Sequence, residues 1–119
     1  MSEPPNIVAG FDAFLKEHGR AAAVFANAGV SNFHRSITEM ELESYRRVMA
    51  INLDGMVWTM REACRHMKAR AEAGDRGGSI VAVSSMVAHF GAPNTADYAA
   101  SKAGIIGMTN SVAVEFGRY

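Results

Sequence analysis

Two short apolar segments most constrain how this chain can fold. Residues 21–26 are continuously apolar, and residues 79–84 are apolar between two serines. Short segments of this kind are typical of strands that lie inside a parallel sheet and are buried on both faces. Helical segments precede, separate and follow them, and such alternation predicts parallel strands joined by right-handed helical crossovers. The predicted fold class is therefore α/β, in the order helix, strand, helix, strand, helix.

Helical periodicity predicts three helices and two loops around these strands. The helices are expected over residues 7–18, from Glu39 to about Ala73, and over 97–116, and the loops over 27–36 and 86–96. Asn6 is expected to cap the first helix and Gly19 to end it. Thr38–Glu41 has the form of a capping box, which predicts a helix start. Gly55 and the polar Asn52 predict a kink within the long second helix.

The composition favours one small globular domain without specialised partners. The 119 residues are 49% hydrophobic and 20% charged. Twelve basic and twelve acidic residues give a formal net charge of zero, so no nucleic-acid surface is expected. No apolar run approaches the ~20 residues of a membrane helix, and no signal peptide is visible. With Cys64 as the sole cysteine, we expect a cytoplasmic protein with no membrane partner.

The histidines give no metal-ligand pattern. They are scattered along the chain as His18, His34, His66 and His89, so no metal site is expected. His89 and Phe90 closely follow Ser85, and they either line a substrate pocket or contact water. Phe33 and His34, just after the first strand, present the same two alternatives.

A tyrosine and a lysine lie four residues apart in Tyr98-Ala-Ala-Ser-Lys102. Because a helix turns once every ~3.6 residues, both side chains can point from one helix face. An ammonium close to a phenol favours the phenolate, and a phenol tuned in this way can exchange a proton with an alcohol or carbonyl. Ser85, thirteen residues before Tyr98, adds a hydroxyl that could hold the same oxygen. Such pairs also arise by chance on solvated helix faces, where Lys102 would be a surface lysine.

Polar and small residues end both predicted strands. Asn27-Ala28-Gly29 follows the first strand, and Ser84 and Ser85 end the second. Because α/β proteins bind ligands at the carboxyl edge of parallel strands, these motifs are expected to lie together. Each has a structural alternative: Gly29 as a turn glycine, Ser85 as a cap after its strand, and Asn52 as a residue satisfied by backbone groups at a kink.

In this order and at these spacings, Asn27-Ala28-Gly29, Asn52, Ser85, Tyr98 and Lys102 resemble the pattern of the short-chain dehydrogenase/reductase family. In that family N-A-G is followed by a lone Asn and then by a Ser thirteen residues before the Tyr of Y-x-x-x-K. The resemblance implies a partial Rossmann-like, doubly wound parallel sheet. It also implies hydride transfer between NAD or NADP and a small alcohol or carbonyl substrate.

The resemblance implies a role for each of these residues. Tyr98 would be the general acid/base, Lys102 would favour its phenolate and bind the nicotinamide ribose, and Ser85 would hold the substrate oxygen. Asn52 would hold a water that links Lys102 to solvent. The residues that would shape the floor under the adenine-ribose part of the cofactor are Asn27, Ala28 and Gly29.

Family members pair through helices that correspond to residues 55–73 and 97–116, so a homodimer or homotetramer is implied. Ala99, Ala103 and Gly107 form a row of small residues at i, i+4 and i+8 of the last helix. Such a row allows another helix to approach closely. The alternative is that the row packs on its own sheet.

Two parts of the family pattern are not found here. No G-x-x-x-G-x-G turn follows a strand, and no residue is present that would select NAD or NADP. The resemblance therefore presents residues 1–119 as a single, incomplete NAD(P)-binding domain without the substrate-covering segment, which we expect to be marginally stable and inactive alone. Two other functions stay open. One is a non-catalytic fragment that retains only the oligomerisation helices, and the other is an unrelated α/β binding domain.

Overall fold

The structure of the chain, a computed structural model, describes residues 5–32 and 36–119. Its elements are α1 Pro5–His18, β1 Ala23–Ala26, a 3-10 turn Ile37–Glu39, α2 Leu42–Met49, a π-helical segment Ala50–Asp54, α3 Gly55–Glu72, β2 Ser79–Ala82, α4 Val87–Phe90 and α5 Ala96–Phe116. The α/β class and the order of its main elements are confirmed. The short α4 lies in a segment predicted as a loop, and the alternatives at Phe33 and His34 lie outside the described residues.

The two strands form a parallel pair, as predicted. Ala23 pairs with Ser79, and the register continues to Ala26 opposite Ala82. The Val83 N–H extends the ladder with a bond to the Ala26 carbonyl at 3.0 Å. The carboxyl ends of both strands therefore meet at one edge of the sheet, although each strand is shorter than its predicted range.

The two faces of the sheet differ in burial. On one face α3 and α5 meet the strands, and Ala26, Met56 and Ile105 form the centre of the core. On the other face Phe25 is 71% exposed and Val81 is 41% exposed. The prediction of strands buried on both faces is wrong for the described residues. A continuous apolar run shows that both sides of a strand are apolar, but it does not show which side another element covers.

The first helix ends as predicted but begins differently. Gly19 takes a left-handed conformation with φ of 71°, and its N–H donates to the Leu15 carbonyl at 2.7 Å. Glycine adopts this conformation without the steric penalty that other residues meet. Because α1 begins at Pro5, Asn6 lies inside the helix and is not its cap. Proline is favoured at the first helical position because it has no N–H, and an N–H at that position would have no partner within the helix.

The predicted capping box does not form. The helix α2 begins at Leu42 rather than near Glu39, and Glu41 precedes it in an extended conformation without a side-chain capping bond. Thr38 lies in the 3-10 turn, where its hydroxyl lies 2.7 Å from the Ser36 hydroxyl. The pattern S/T-x-x-E therefore marks the region of the helix start but not the residue that caps it.

The interruption predicted near Asn52 and Gly55 is a π-helical segment, Ala50–Asp54. The segment keeps right-handed helical backbone angles on both sides, so α2 and α3 continue one helical path. A π-helical turn adds a residue to one turn and rotates the following side chains. This rotation accompanies the complete burial of the polar Asn52.

Charged side chains connect β1 to the turn before β2 at the amino edge of the sheet. Asp75 accepts hydrogen bonds from Arg70 Nε at 2.8 Å and Arg20 Nε at 2.9 Å, and these bonds hold the pKa of Asp75 well below its usual range. The Ala21 N–H donates to Nε2 of His66 at 3.1 Å. Burial, with the charges of Arg70 and Arg20, lowers the pKa of His66.

Lowering the pH from about 7.5 to about 5 is expected to reduce the free energy of unfolding of the complete protein. The folded state keeps His66 neutral, so below pH 6.5 the unfolded chain binds more protons at this residue. The stability that His66 contributes is therefore present above pH 6.5 and is lost as the pH falls. Asp75 contributes a second loss of stability in more acidic solution, below its ordinary pKa of 3.8. Urea unfolding midpoints between about pH 7.5 and about pH 5 measure the effect of His66.

The matched variant for this prediction is His66→Gln. Glutamine offers an oxygen to the Ala21 N–H but does not titrate, so the pH dependence should flatten. His18→Gln removes an exposed histidine of α1 and should leave the wild-type dependence in place. An equally steep dependence in His66→Gln and wild type would contradict the assignment to His66.

Candidate active site

Lys102 lies on α5 with its ammonium buried at the carboxyl edge of the sheet. The residue is 3% exposed, and Nζ donates to the carbonyl of Val83, just beyond β2, at 2.9 Å. Nζ also lies 5.7 Å from the centroid of the Tyr98 ring, about one helical turn away. Burying an ammonium is costly unless hydrogen bonds compensate for lost water. Lys102 is therefore not a solvated surface lysine, and its charge faces the ring of Tyr98.

Asn52 joins the π-helical segment to the loop after β1. The residue is fully buried, and its Oδ1 accepts the Val30 N–H at 2.7 Å. Its Nδ2 donates to the Val30 carbonyl at 2.8 Å and to Ser101 Oγ at 3.1 Å. Backbone groups therefore do satisfy part of this side chain, but they belong to Val30 in the loop after β1 and not to the interrupted helix. The same bonds fix the amide beside α5.

Gly29 allows three elements to approach closely. A Cβ added at Gly29 would lie 3.3 Å from Lys102 Nζ and 3.4 Å from Asn52 Oδ1. Both contacts are at or just inside ordinary van der Waals distance, and Gly29 does not have the positive φ that favours glycine. Its small size is therefore used for proximity to the ammonium and the amide rather than for a left-handed turn.

Ser85 follows the end of β2, and a pair of bonds holds this strand end against α5. The Ser84 hydroxyl donates to the Lys102 backbone carbonyl at 2.7 Å, while Lys102 Nζ donates to the Val83 carbonyl. Ser85 is half-buried, and its Oγ accepts the Val87 N–H at a long 3.4 Å. Ser85 is thus placed at the edge that carries Lys102, with a weak capping contact to α4.

The Asn27-Ala28-Gly29 motif divides between two places. Gly29 lies against Lys102 and Asn52. Asn27 and Ala28 are exposed and line an open groove of about 390 Å³ between α1, β1, the π-helical segment and α3. The structure therefore brings Gly29, Asn52, Tyr98 and Lys102 together, with Ser85 at the same strand edge. The other two residues of the motif lie beside a separate, largely apolar groove.

Other functional features are limited in the part of the chain that the structure describes. None of its His, Cys, Asp and Glu side chains cluster in the groups of three that a metal ion would need. Its helices are too short or too polar to cross a membrane. His89 and Phe90 lie on α4 and are exposed to solvent. The cluster around Lys102 is therefore the strongest candidate for chemistry within residues 5–32 and 36–119.

A family model described as short chain dehydrogenase matches residues 1–119. The chain belongs to this family. Short-chain dehydrogenase reductase 5 of Arabidopsis thaliana is 37% identical to it over 105 residues, which cover 88% of this chain and 39% of the relative. A crystal structure of a short chain dehydrogenase from Mycobacterium avium matches with a TM-score of 0.90 and 29% identity, over 97% of this chain and 40% of that one.

A third similar protein is a 3-ketoacyl-(acyl-carrier-protein) reductase from Brucella melitensis, whose crystal structure contains NADH. It matches with a TM-score of 0.89 and 25% identity, over 96% of this chain and 47% of that one. This short-chain dehydrogenase chain spans less than half the length of these relatives. The Rossmann-like fold expected from its sequence is therefore shared with solved members of the family.

Two serines of this short-chain dehydrogenase make contacts in the site that the sequence did not predict. Ser101 is fully buried, and its hydroxyl donates to the Tyr98 carbonyl at 2.7 Å. Helical serines often bond a carbonyl three or four residues earlier, so the position of Ser101 after Tyr98 was a usable signal. Ser84 was expected at the end of the second strand, but the sequence contained no signal for its bond to the Lys102 carbonyl, because this bond depends on the packing of α5 against β2.

Proposed function

We propose that the protein containing this chain transfers hydride between NAD or NADP and a small alcohol or carbonyl substrate. The observation that carries the proposal is the buried Lys102 ammonium, 5.7 Å from the ring centroid of Tyr98 at the carboxyl edge of the sheet. A phenol beside a buried cation is suited to exchange a proton with an oxygen atom. We take the protein to be cytoplasmic, with no nucleic-acid or membrane partner.

The residues present fit one part of the cofactor. An ammonium can donate three hydrogen bonds. Within the described residues, the Lys102 ammonium donates one, to the Val83 carbonyl. Lys102, with Tyr98 beside it, would bind hydroxyls of the nicotinamide ribose, and Asn27, Ala28 and Gly29 would lie under the adenosine ribose. The cofactor supplies or accepts the hydride. The chain has no Gly-rich turn after a strand, so its residues fit the ribose groups but not the pyrophosphate.

The protein groups would handle the proton and the charge on the substrate oxygen. In reduction Tyr98 Oη gives its proton to that oxygen, and in oxidation Tyr98 Oη takes it. The Lys102 ammonium stabilises negative charge that develops on the phenol oxygen, and the Ser85 hydroxyl donates to the substrate oxygen. Asn52 supports this arrangement by fixing the loop after β1 beside Lys102.

The test is cofactor-dependent turnover by the product of the complete reading frame. Nicotinamide absorbance reports turnover with NAD or NADP on a panel of small alcohols and carbonyl compounds. Turnover that Tyr98→Phe removes would support the proposal. A different result would argue for a binding function instead: the protein binds the cofactor, turns over none of the compounds, and binds the cofactor equally well when Lys102 is substituted.

We also propose that the complete protein is a homodimer or homotetramer that pairs through α3 and α5. Ala103 and Gly107 on α5 are exposed, and a Cβ at Gly107 would meet no atom within 4 Å. This exposure supports the interface over the alternative that the small-residue row packs on its own sheet. Light scattering of the complete protein should give a dimer or tetramer mass, and Gly107→Phe should lower it. A monomer mass for the wild type would contradict the proposal.

A further inference from the structure

Ser101 connects two parts of the site through one buried hydroxyl. It lies on α5 between Tyr98 and Lys102 in sequence and is fully buried. Its Oγ donates to the Tyr98 carbonyl at 2.7 Å and accepts from Asn52 Nδ2 at 3.1 Å. A hydroxyl has one proton to donate. Because the hydroxyl uses this proton in its bond to the Tyr98 backbone carbonyl, the lone pairs of Oγ remain to accept the bond from the Asn52 amide.

The amide of Asn52 depends on this acceptor. One N–H of Nδ2 donates to the Val30 carbonyl, and Oδ1 accepts the Val30 N–H, so Val30 sets which way the amide points. The other N–H donates to Ser101. Asn52 is fully buried, and a buried N–H that loses its acceptor is destabilised because water cannot replace the bond. Removal of the Ser101 hydroxyl would therefore disturb the amide itself.

The position of that amide bears on Lys102. Asn52 Oδ1 and Lys102 Nζ lie against the same point at Gly29, 3.4 Å and 3.3 Å from where its Cβ would be. A displaced amide would shift the loop at Gly29, and this loop forms the wall beside the ammonium. The π-helical segment, the loop after β1 and α5 are thus linked through Val30, Asn52 and Ser101.

We infer that Ser101 is a positioning residue, which holds the Asn52 amide against α5 and thereby keeps Lys102 and Tyr98 in the geometry needed for proton transfer. This inference rests on the proposed function for its effect on rate. Its effect on the Asn52 amide does not depend on that function, so the two can fail separately.

The first measurement compares Ser101→Ala with Thr109→Val in the complete protein. Thr109 lies on the same helix and makes the same kind of bond, from its hydroxyl to the Ile105 carbonyl at 2.7 Å, but it has no described bond to Asn52. In Ser101→Ala, kcat is expected to fall by about tenfold with KM little changed, as for a lost buried acceptor. Thr109→Val should keep the wild-type kcat. An equal loss in both variants would indicate a structural role only.

The second measurement tests whether Ser101 acts through Asn52. If it does, the kcat losses of Ser101→Ala and Asn52→Ala are not additive, and the double variant is little slower than Asn52→Ala. Ser101→Thr, which keeps the hydroxyl, should recover most of the rate. If the fold-loss of kcat in the double variant equals the product of the two single losses, the inference is overturned.

The third measurement needs no turnover. Hydrogen exchange of the Asn52 side-chain amide, followed by NMR without cofactor, should be faster in Ser101→Ala than in wild type and unchanged in Thr109→Val. Equal exchange in Ser101→Ala and wild type would overturn the inference whatever the activity. If the wild type turns over no substrate, the proposed function fails, and the exchange rates still decide whether Ser101 holds the amide.

Discussion

Turnover by the complete protein is expected to fall by about 10²–10⁴-fold when Tyr98 is replaced with phenylalanine. The substitution removes one oxygen atom, and the ring can keep its place 5.7 Å from Lys102 Nζ. Without Oη, this position can neither give a proton to the substrate oxygen nor take one from it. Cofactor affinity should change little because Lys102 and its bond to Val83 remain. The kcat, the KM and the cofactor Kd measured together separate these effects.

The control for this prediction is Tyr45→Phe. Tyr45 lies on α2 and is exposed, so loss of its hydroxyl should leave kcat at the wild-type value. A loss in Tyr98→Phe alone assigns the effect to the site rather than to removal of a tyrosine oxygen in general. Unchanged kcat in Tyr98→Phe would remove Tyr98 from the role of acid/base, even with the fold intact.

The sequence was sufficient to predict the path of the chain because its signals are local or topological. The apolar runs at 21–26 and 79–84 contain the observed strands, and parallel pairing brings their carboxyl ends together. The spacing of Tyr98 and Lys102 places both on one helix. These predictions depend on helix and strand periods, which are properties of the backbone and need no knowledge of tertiary packing.

The contacts that make the site depend on packing and were not predictable in the same way. The burial of Lys102 results from the approach of α5 to the end of β2, and the Ser84 bond to its carbonyl exists only in that arrangement. Asn52 was expected at an interruption of the helix, but its three bonds require the loop after β1 and α5 to meet there. The sequence therefore placed Asn52 and Lys102 on their helices, but it did not reveal which groups their side chains contact.

Coverage of the sheet shows a different limit of sequence interpretation. Phe25 and Val81 were expected to be buried because their strands are apolar on both sides, yet both are exposed among the described residues. The apolar side chains of a strand indicate which of its faces need to be covered. The burial of each face depends on which elements are present to cover it. An exposed apolar sheet face and open strand edges favour association or misfolding, which supports the expectation of low stability for these residues alone.

Replacement of Lys102 with methionine is expected to reduce both turnover and cofactor affinity. Methionine has similar length but no charge, so it removes the bond to the Val83 carbonyl and the cation beside Tyr98. Loss of one donor that stabilises a developing charge lowers kcat by about 10²–10³-fold. Loss of a charged hydrogen bond to the ribose raises the cofactor Kd by about 10- to 100-fold. Single-turnover rates and fluorescence titration with the reduced cofactor measure the two effects.

Lys68→Met provides a matched control on the surface. Lys68 Nζ lies 5.5 Å from the ring centroid of Tyr119, close to the distance between Lys102 and Tyr98, but the Lys68 side chain is 45% exposed on α3. This variant removes a lysine beside a tyrosine ring without touching the site, and should keep wild-type kcat and Kd. Since methionine can pack where Lys102 is buried, the thermal unfolding midpoint of Lys102→Met should not fall enough to explain lost activity. A wild-type cofactor Kd in Lys102→Met would show that Lys102 does not bind the ribose, and its role would then be limited to Tyr98.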